Sequence, residues 1–148
     1  MDVLAIADAL AAKFASGTLT PPTGYGAIRV ATARTPNAIP VAPFLLVTLP
    51  SGEVIIEGQW AKHHLDFDVE FHWAQHSGDK PRDMTALLDW LPKLLTAVLS
   101  GWQLGITGIQ KTLPMDYEYD VMPYAGVEFY GWRIRHRVYF DEAQTVTA

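Results

Sequence analysis

Residues 64–73 decide the fold of this protein, and they read His64-Leu65-Asp66-Phe67-Asp68-Val69-Glu70-Phe71-His72-Trp73. Odd positions are apolar and even positions are polar or charged, without a break. Successive side chains of an extended chain point to opposite faces, so this period of two predicts a strand with one buried and one solvated face. We expect the odd positions to line the core. The even positions should stand together on the other face, about 7 Å apart along the strand.

A second stretch, residues 132–140, has the complementary pattern. Its apolar positions share one face with His136, while Arg133, Arg135 and Arg137 share the other. If these strands belong to one antiparallel sheet, as neighbours or next-but-one neighbours, opposite charges lie about 5 Å apart across strands. Each such pair contributes a few tenths of a kcal/mol to about 1 kcal/mol. The arginine row is therefore predicted to face the acidic row Asp66, Asp68 and Glu70.

Composition limits the class of protein. A chain of 148 residues with 49% hydrophobic and 18% charged residues is long enough, and apolar enough, for one folded domain. A formal net charge of −5 argues against a general nucleic-acid-binding surface. The absence of cysteine excludes disulfides, thiolate metal sites and cysteine nucleophiles. With no signal-peptide pattern and no run of about 18 apolar residues, we expect a soluble protein without a membrane partner.

The remaining patterns predict the other elements. The first half of the chain should form a helix over 3–15 capped by Asp2, strands over 28–34 and 44–49, a turn at 50–52, and strands over 53–58 and 64–73. A main helix over 81–100 should follow. The rest should form a strand over 106–113, a loop or ragged hairpin over 114–125, strands over 127–130 and 132–140, and a flexible tail over 141–148. Strands 44–49 and 53–58 should form a hairpin within an antiparallel meander of four strands.

Three details refine this prediction. Pro92 should kink the main helix or split it after Leu91. A bulge at Gly131 should join the last two strands, because the apolar parity changes there. The N-terminal helix is predicted to extend over residues 1–16 at most. The predicted fold class is α+β, a single domain of mostly antiparallel sheet with two amphipathic helices packed on one face.

The sequence contains few patterns that indicate a catalytic, metal-binding or cofactor-binding site. The best metal candidate is the even face of the 64–73 strand, from His64 to His72, since His and carboxylate two residues apart can share a metal. A straight strand brings at most two such ligands to one point, however, and the facing row is Arg, so a salt-bridged or solvated face is favoured. No catalytic nucleophile pattern and no phosphate-binding glycine loop is present. We predict no catalytic, metal-binding or cofactor-binding residues, no cofactor, and no enzyme activity.

Aromatic residues divide into two groups. Trp73, Trp90, Trp102, Phe129 and Trp132 fall on apolar faces and are predicted to be core. A second set is expected at the surface, where it could anchor an interface. That set consists of Trp60, Tyr124 and Tyr130.

The order of elements and the closing strand resemble a known family. A short N-terminal helix, a Pro-rich connector, a meander and a Leu-rich helix with Trp90 precede a final strand of the type Tyr-Gly-Trp-x-Ile-x-x-x-Val-x-Phe, from Tyr130 to Phe140. This resembles the tail terminator, or tail completion, proteins of long-tailed bacteriophages and related gene transfer agents. The resemblance covers most of the chain and rests on architecture, size and the closing strand.

The resemblance implies a structural virion protein that is assembled in the host cytoplasm. Such proteins form a homo-oligomeric ring, usually a hexamer, at the head-proximal end of the tail tube. The ring ends tube growth and joins the tail to the head connector or stopper, while DNA passes through its lumen without specific binding. Under this reading the candidate interface or lumen-facing residues are Asp66, Asp68, Glu70, Arg133, Arg135 and Arg137. The alternatives are another neck protein (head completion or connector), or a metal- or small-ligand-binding α+β protein.

Overall fold

The long strand at the centre of the sequence is also the centre of the sheet. The computed structural model describes residues 2–34, 36, 38–48, 51–57, 60–76, 81–100, 104, 106 and 109–143. The elements in chain order are α1 (Val3–Ala12), β1 (Val30–Thr32), β2 (Phe44–Val47), β3 (Ser51–Glu57), β4 (Trp60–Gln75), α2 (Met84–Leu99), β5 (Ile109–Tyr124) and β6 (Val127–Ala143). They form the predicted α+β fold, with a six-stranded and mostly antiparallel sheet.

The other strands are added to β4 on both sides. Along one side, β2 pairs with the C-terminal part of β4 and β3 with its N-terminal part, both antiparallel. Along the other side, β6 pairs with nearly the whole of β4, and β5 then pairs with β6. The strand order is β1-β2-β4-β6-β5, and β1 runs parallel to β2. The predicted neighbour relation between the acidic and arginine strands is confirmed.

Both helices lie over one face of this sheet. The Asp2 carboxylate accepts a hydrogen bond from the Ala5 N–H, and the Asp83 carboxylate accepts one from the Ala86 N–H, so each helix has an N-cap. α1 packs over β1 and β2, and α2 packs over β5 and β6. Between helices and sheet lies the main core, which includes Ile6, Leu10, Phe14, Leu45, Phe67, Val69, Phe71, Leu87, Trp90, Leu94, Ile134 and Val138.

Side-chain hydrogen bonds connect α2 to other elements. The Trp132 indole N–H donates to the Leu87 carbonyl at 2.8 Å, which fixes the helix over β6. At its C-terminal end, the Lys13 ammonium donates to the Val98 and Ser100 carbonyls. A cation at this position satisfies carbonyls that have no helical partner and interacts favourably with the helix dipole. The helix continues through Pro92, so the predicted split after Leu91 is wrong.

A second, smaller cluster lies on the opposite face of the sheet. Phe44, Leu46 and Phe129 form it, with Val127 among the residues packed against them. The imidazole of His72 stacks on Phe44, with 4.4 Å between ring centroids, and meets Phe129 edge-on. His72 is therefore fully buried, although the sequence pattern placed it on the solvated face.

This cluster also explains the change of pattern near Gly131. Tyr130 and Trp132 both belong to the main core, so the parity of β6 does not flip; Val127 and Phe129 are apolar because they pack on the other side. A register shift does occur here, but the extra residue is on β4, between His72 and Ala74. A Cβ atom at Gly131 would overlap the Phe71 carbonyl oxygen, so the close crossing requires glycine.

Two further predictions are wrong, and one open alternative is decided. β2 and β3 do not form a hairpin, because both pair antiparallel with β4 and run in the same direction along its edge. For residues 114–125 the sequence left open a loop or a ragged hairpin, and the hairpin is correct: residues 114–124 belong to β5, which pairs with β6 across a turn at 125–126, with register irregularities. Tyr130 is buried at 5% exposure instead of lying on the surface. Trp102 and the tail from 144 onward lie outside the described residues, as does the side chain of Trp60.

Candidate functional site: the charged face of the sheet

Three rows of charge run along the face of the sheet opposite the helices. Residue pairing in the ladders sets their alignment: Asp66 lies opposite Arg137, Asp68 opposite Arg135, and Glu70 opposite Arg133. On the other side of β6, the acidic residues of β5 fall beside the same arginines. We call this surface the charged face, and it consists of Asp66, Asp68, Glu70, Asp116, Glu118, Asp120, Arg133, Arg135 and Arg137.

The tightest contact on the charged face is between Asp66 and Arg137. The guanidinium donates through Nε and one terminal nitrogen to both carboxylate oxygens, at 2.7 and 2.9 Å. This side-chain hydrogen bonding holds the pKa of Asp66 below its ordinary value and raises that of Arg137. Both side chains are largely buried, so water screens the pair less than it screens a fully exposed one.

Arg133 is held from the opposite side, by β5. Its guanidinium lies 2.8 Å from the Asp120 carboxylate and 3.9 Å from that of Glu118. Glu70, which is its ladder partner on β4, instead has its carboxylate 3.7 Å from the Nε2 of the buried His72. The end of the face near the small apolar cluster is thus fixed by side chains from β4, β5 and β6 together.

Arg135, in the centre, is shared and loosely held. Its guanidinium lies 3.9 Å from both the Asp68 and the Asp116 carboxylates, and its side chain is 51% exposed. At these distances the contacts are electrostatic and not hydrogen bonds. The face is therefore rigid at its two ends and open to solvent in the middle.

The acidic row of β5 was not predicted from the sequence. Residues 116–120 alternate charged and aromatic residues, which is the same period-two signal that identified β4. Pro114 and Pro123 masked this signal, because proline within a run normally argues against a strand. β5 is an edge strand, where proline is tolerated since half of the backbone N–H groups have no partner in the sheet.

The arrangement carries a surplus of negative charge. Six carboxylates against three guanidiniums leave a formal charge of −3 on the charged face. Each arginine has at least one carboxylate within 4 Å in its own chain, so the rows do not need a second molecule for neutralisation. The surface should therefore repel phosphate groups and remain stable while exposed to solvent.

The metal interpretation gains no support from the geometry. Within the described part of the chain, no group of three or more His, Asp or Glu side chains is placed to hold a metal ion. His72, which belonged to the candidate ligand row, lies in the small apolar cluster, and His64 lies against the Tyr139 ring, with 6.0 Å between centroids. Asp66 and Asp68 of the row are directed to arginines, and Glu70 is directed to His72.

One other titratable group stands apart from the charged face. His136 is fully buried on the helix side of β6, where the sequence placed it among apolar residues. Burial lowers the pKa of its imidazole to about 4, with a further contribution from the positive charge of Lys13. Both of its ring nitrogens lack a hydrogen-bond partner in the described structure. This histidine is neutral at physiological pH.

Neither the models of known protein families nor the curated proteins include a match to this chain. Among the helices described here, none is long and apolar enough to cross a membrane. The assignment of function must therefore rest on the fold, the charged face and the resemblance noted from the sequence.

Proposed function

We propose that this protein is a tail terminator of a long-tailed phage or a related particle. It forms a ring at the head-proximal end of the tail tube, ends tube growth and joins the tail to the head connector. The observation that carries the proposal is the charged face, a broad, solvent-facing sheet surface whose acidic surplus is held in place by arginines of the same chain.

The charged face suits the wall of a channel through which DNA passes. A wall of mobile basic side chains would bind phosphates and slow the DNA, whereas a fixed surface of net negative charge repels them. The contacts within the chain also help to decide whether Asp66, Asp68 and Glu70 lie at an interface between copies or face the lumen. Because Asp66 and Asp68 already face Arg137 and Arg135 of the same chain, and Glu70 lies against the buried His72, the lumen is the better assignment.

Solution mass tests this proposal first. Light scattering of the purified protein, with metal analysis of the same sample, should show a discrete closed oligomer without stoichiometric metal. Electron microscopy should show rings with a central channel. If assembly requires a template, rings should instead appear at one end of tubes grown from the tail tube protein of the same particle.

Two outcomes would overturn the proposal. A monomer that carries stoichiometric zinc or manganese, lost in the His64→Ala variant, would establish the metal-binding alternative. A ring that binds the head connector but never the tail tube would identify another protein of the neck.

A further inference from the structure

Among the unpaired edges of the sheet, those of β1 and β5 differ in character. β1 and β5 are the terminal strands of the sheet order, and the outer edge of each pairs with no other strand of the described chain. An unpaired strand edge presents N–H and C=O groups that can add to another chain. Both edges are therefore available for contact with a second copy.

The β5 edge carries exposed apolar side chains close to acidic ones. Leu113, Met115 and Tyr117 are 39%, 45% and 48% exposed. The side chains of Asp116 and Glu118 are each 66% exposed and lie 3.9 Å from their nearest arginine nitrogens, so much of their charge faces solvent. Lys111, which is also on β5, precedes these carboxylates in the sequence, and its ammonium lies over the Tyr139 ring.

The β1 edge has the opposite character. An open groove of about 620 Å³ lies between α1 and the ends of β1 and β2. Its apolar lining includes Val3, Leu4, Ala7, Leu46, Val47 and Phe67. Arg34 lines the groove and also pairs with Asp8, yet its side chain stays 65% exposed; Arg29, just before β1, is exposed as well.

We propose that the β5 edge of one copy docks into the α1–β2 groove of the next copy. Met115 would enter the groove, while the neighbouring Asp116 and Glu118 would meet Arg34, which lines it. The groove lies within the volume range of about 300–1,000 Å³ that encloses small ligands, so it has room for bulky side chains. The complementary charges select a neighbouring copy over an uncharged apolar partner.

This contact is head-to-tail, because the two surfaces are different and lie at opposite edges of the sheet. Repetition of a head-to-tail contact gives a closed ring or an open filament, whereas a two-fold contact would stop at a dimer. The inference thus rests on the proposed ring and specifies the contact between its copies. It covers Asp116 and Glu118, at the β5 margin of the charged face, and leaves the row Asp66, Asp68 and Glu70 facing the lumen.

Disulfide capture tests the contact in a chain that has no cysteine of its own. Leu4→Cys places one thiol in the groove and Met115→Cys places one on the β5 edge. Mixed in equal amounts and oxidised, the two variants should give a covalent heterodimer, and each variant alone should give little dimer. The double variant should give a ladder that ends at the size of the ring. Oxidation traps even a weak contact, so stable assembly in solution is not required.

The matched control pairs Met115→Cys with Lys93→Cys, an exposed position on α2. Heterodimer yield at the control level, with rings still present by light scattering, would refute this contact and leave the ring function intact. Equal homodimer yield from either variant alone would indicate a two-fold contact instead. A small molecule that co-purifies with the wild type and is lost in Leu4→Asp would identify the groove as a ligand site and overturn the inference.

Discussion

At the scale of single residues, the Asp66–Arg137 pair is the strongest polar contact of the charged face. Removing the carboxylate leaves a largely buried guanidinium without its partner. We expect Asp66→Asn to lower the free energy of unfolding by about 1–2 kcal/mol at pH 7. Asp68→Asn, which breaks only a 3.9 Å contact to the half-exposed Arg135, is the control and should cost less than about 0.5 kcal/mol.

The same pair makes a pH prediction. Because the folded-state pKa of Asp66 lies below its ordinary 3.8, its stabilisation is present above that value and is lost as the pH falls through the lower folded pKa. Urea unfolding at pH 7 and pH 3 should show the Asp66→Asn deficit shrinking at the lower pH. A deficit that is equal at both values would show that the ion pair is not its cause.

His136 should make the protein acid-sensitive in a different window. Its imidazole is neutral in the core, with a pKa of about 4, whereas the unfolded chain takes up a proton near the ordinary 6.5. The free energy of unfolding therefore has its full value above about pH 6.5 and falls by up to about 3 kcal/mol between pH 6.5 and pH 4. His136→Phe should flatten this part of the stability profile, measured by urea unfolding, while His64→Gln on the opposite face should leave it in place. An unchanged slope in His136→Phe would contradict this assignment.

At the scale of elements, the crossing of β4 and β6 depends on one glycine. Any side chain at Gly131 would overlap the Phe71 backbone, and backbone cannot move aside without loss of the ladder. We expect Gly131→Ala to destabilise the fold by at least about 3 kcal/mol, or to prevent folding. Gly26→Ala, where no atom lies within 4 Å, should change stability by less than about 0.5 kcal/mol. Thermal unfolding of the two variants makes the comparison, and equal melting temperatures would refute the requirement.

At the scale of the whole molecule, the surplus charge of −3 on the charged face should keep DNA away. Wild-type protein should not bind double-stranded DNA at 50 mM salt, up to about 100 μM protein. Replacing Asp116 and Glu118 by lysine changes the formal charge of the face to +1. Fluorescence anisotropy should then detect salt-dependent binding.

A control with the same net charge separates local from overall charge. Asp89→Lys with Glu128→Lys introduces the same change on α2 and on the end of β6, away from the charged face. It should bind DNA more weakly than the variant on the face. Equal binding by both variants would mean that overall charge, and not the charged face, keeps the wild type from DNA.

The sequence alone determined the fold class, the two helices and the pairing of the acidic with the arginine strand. It could do so because strict period-two alternation fixes which side chains share a face. In addition, the like charges within each row repel one another unless the oppositely charged row lies beside them. The sequence also placed His136 among the apolar residues of β6. These features are local, or are set by charge complementarity that can be read directly.

Tertiary structure decided the rest. Only the register of β5 on β6 shows that Asp116, Glu118 and Asp120 complete the charged face, since proline signals concealed the strand. His72 and Val127 pack on the outer side of the sheet because the ends of β2, β5 and β6 meet there, and no local pattern records that meeting. β2 and β3 share the edge of β4 instead of pairing with each other because β4 is long enough to hold both. Contacts between distant segments depend on lengths and packing, and these emerge only when the chain is folded.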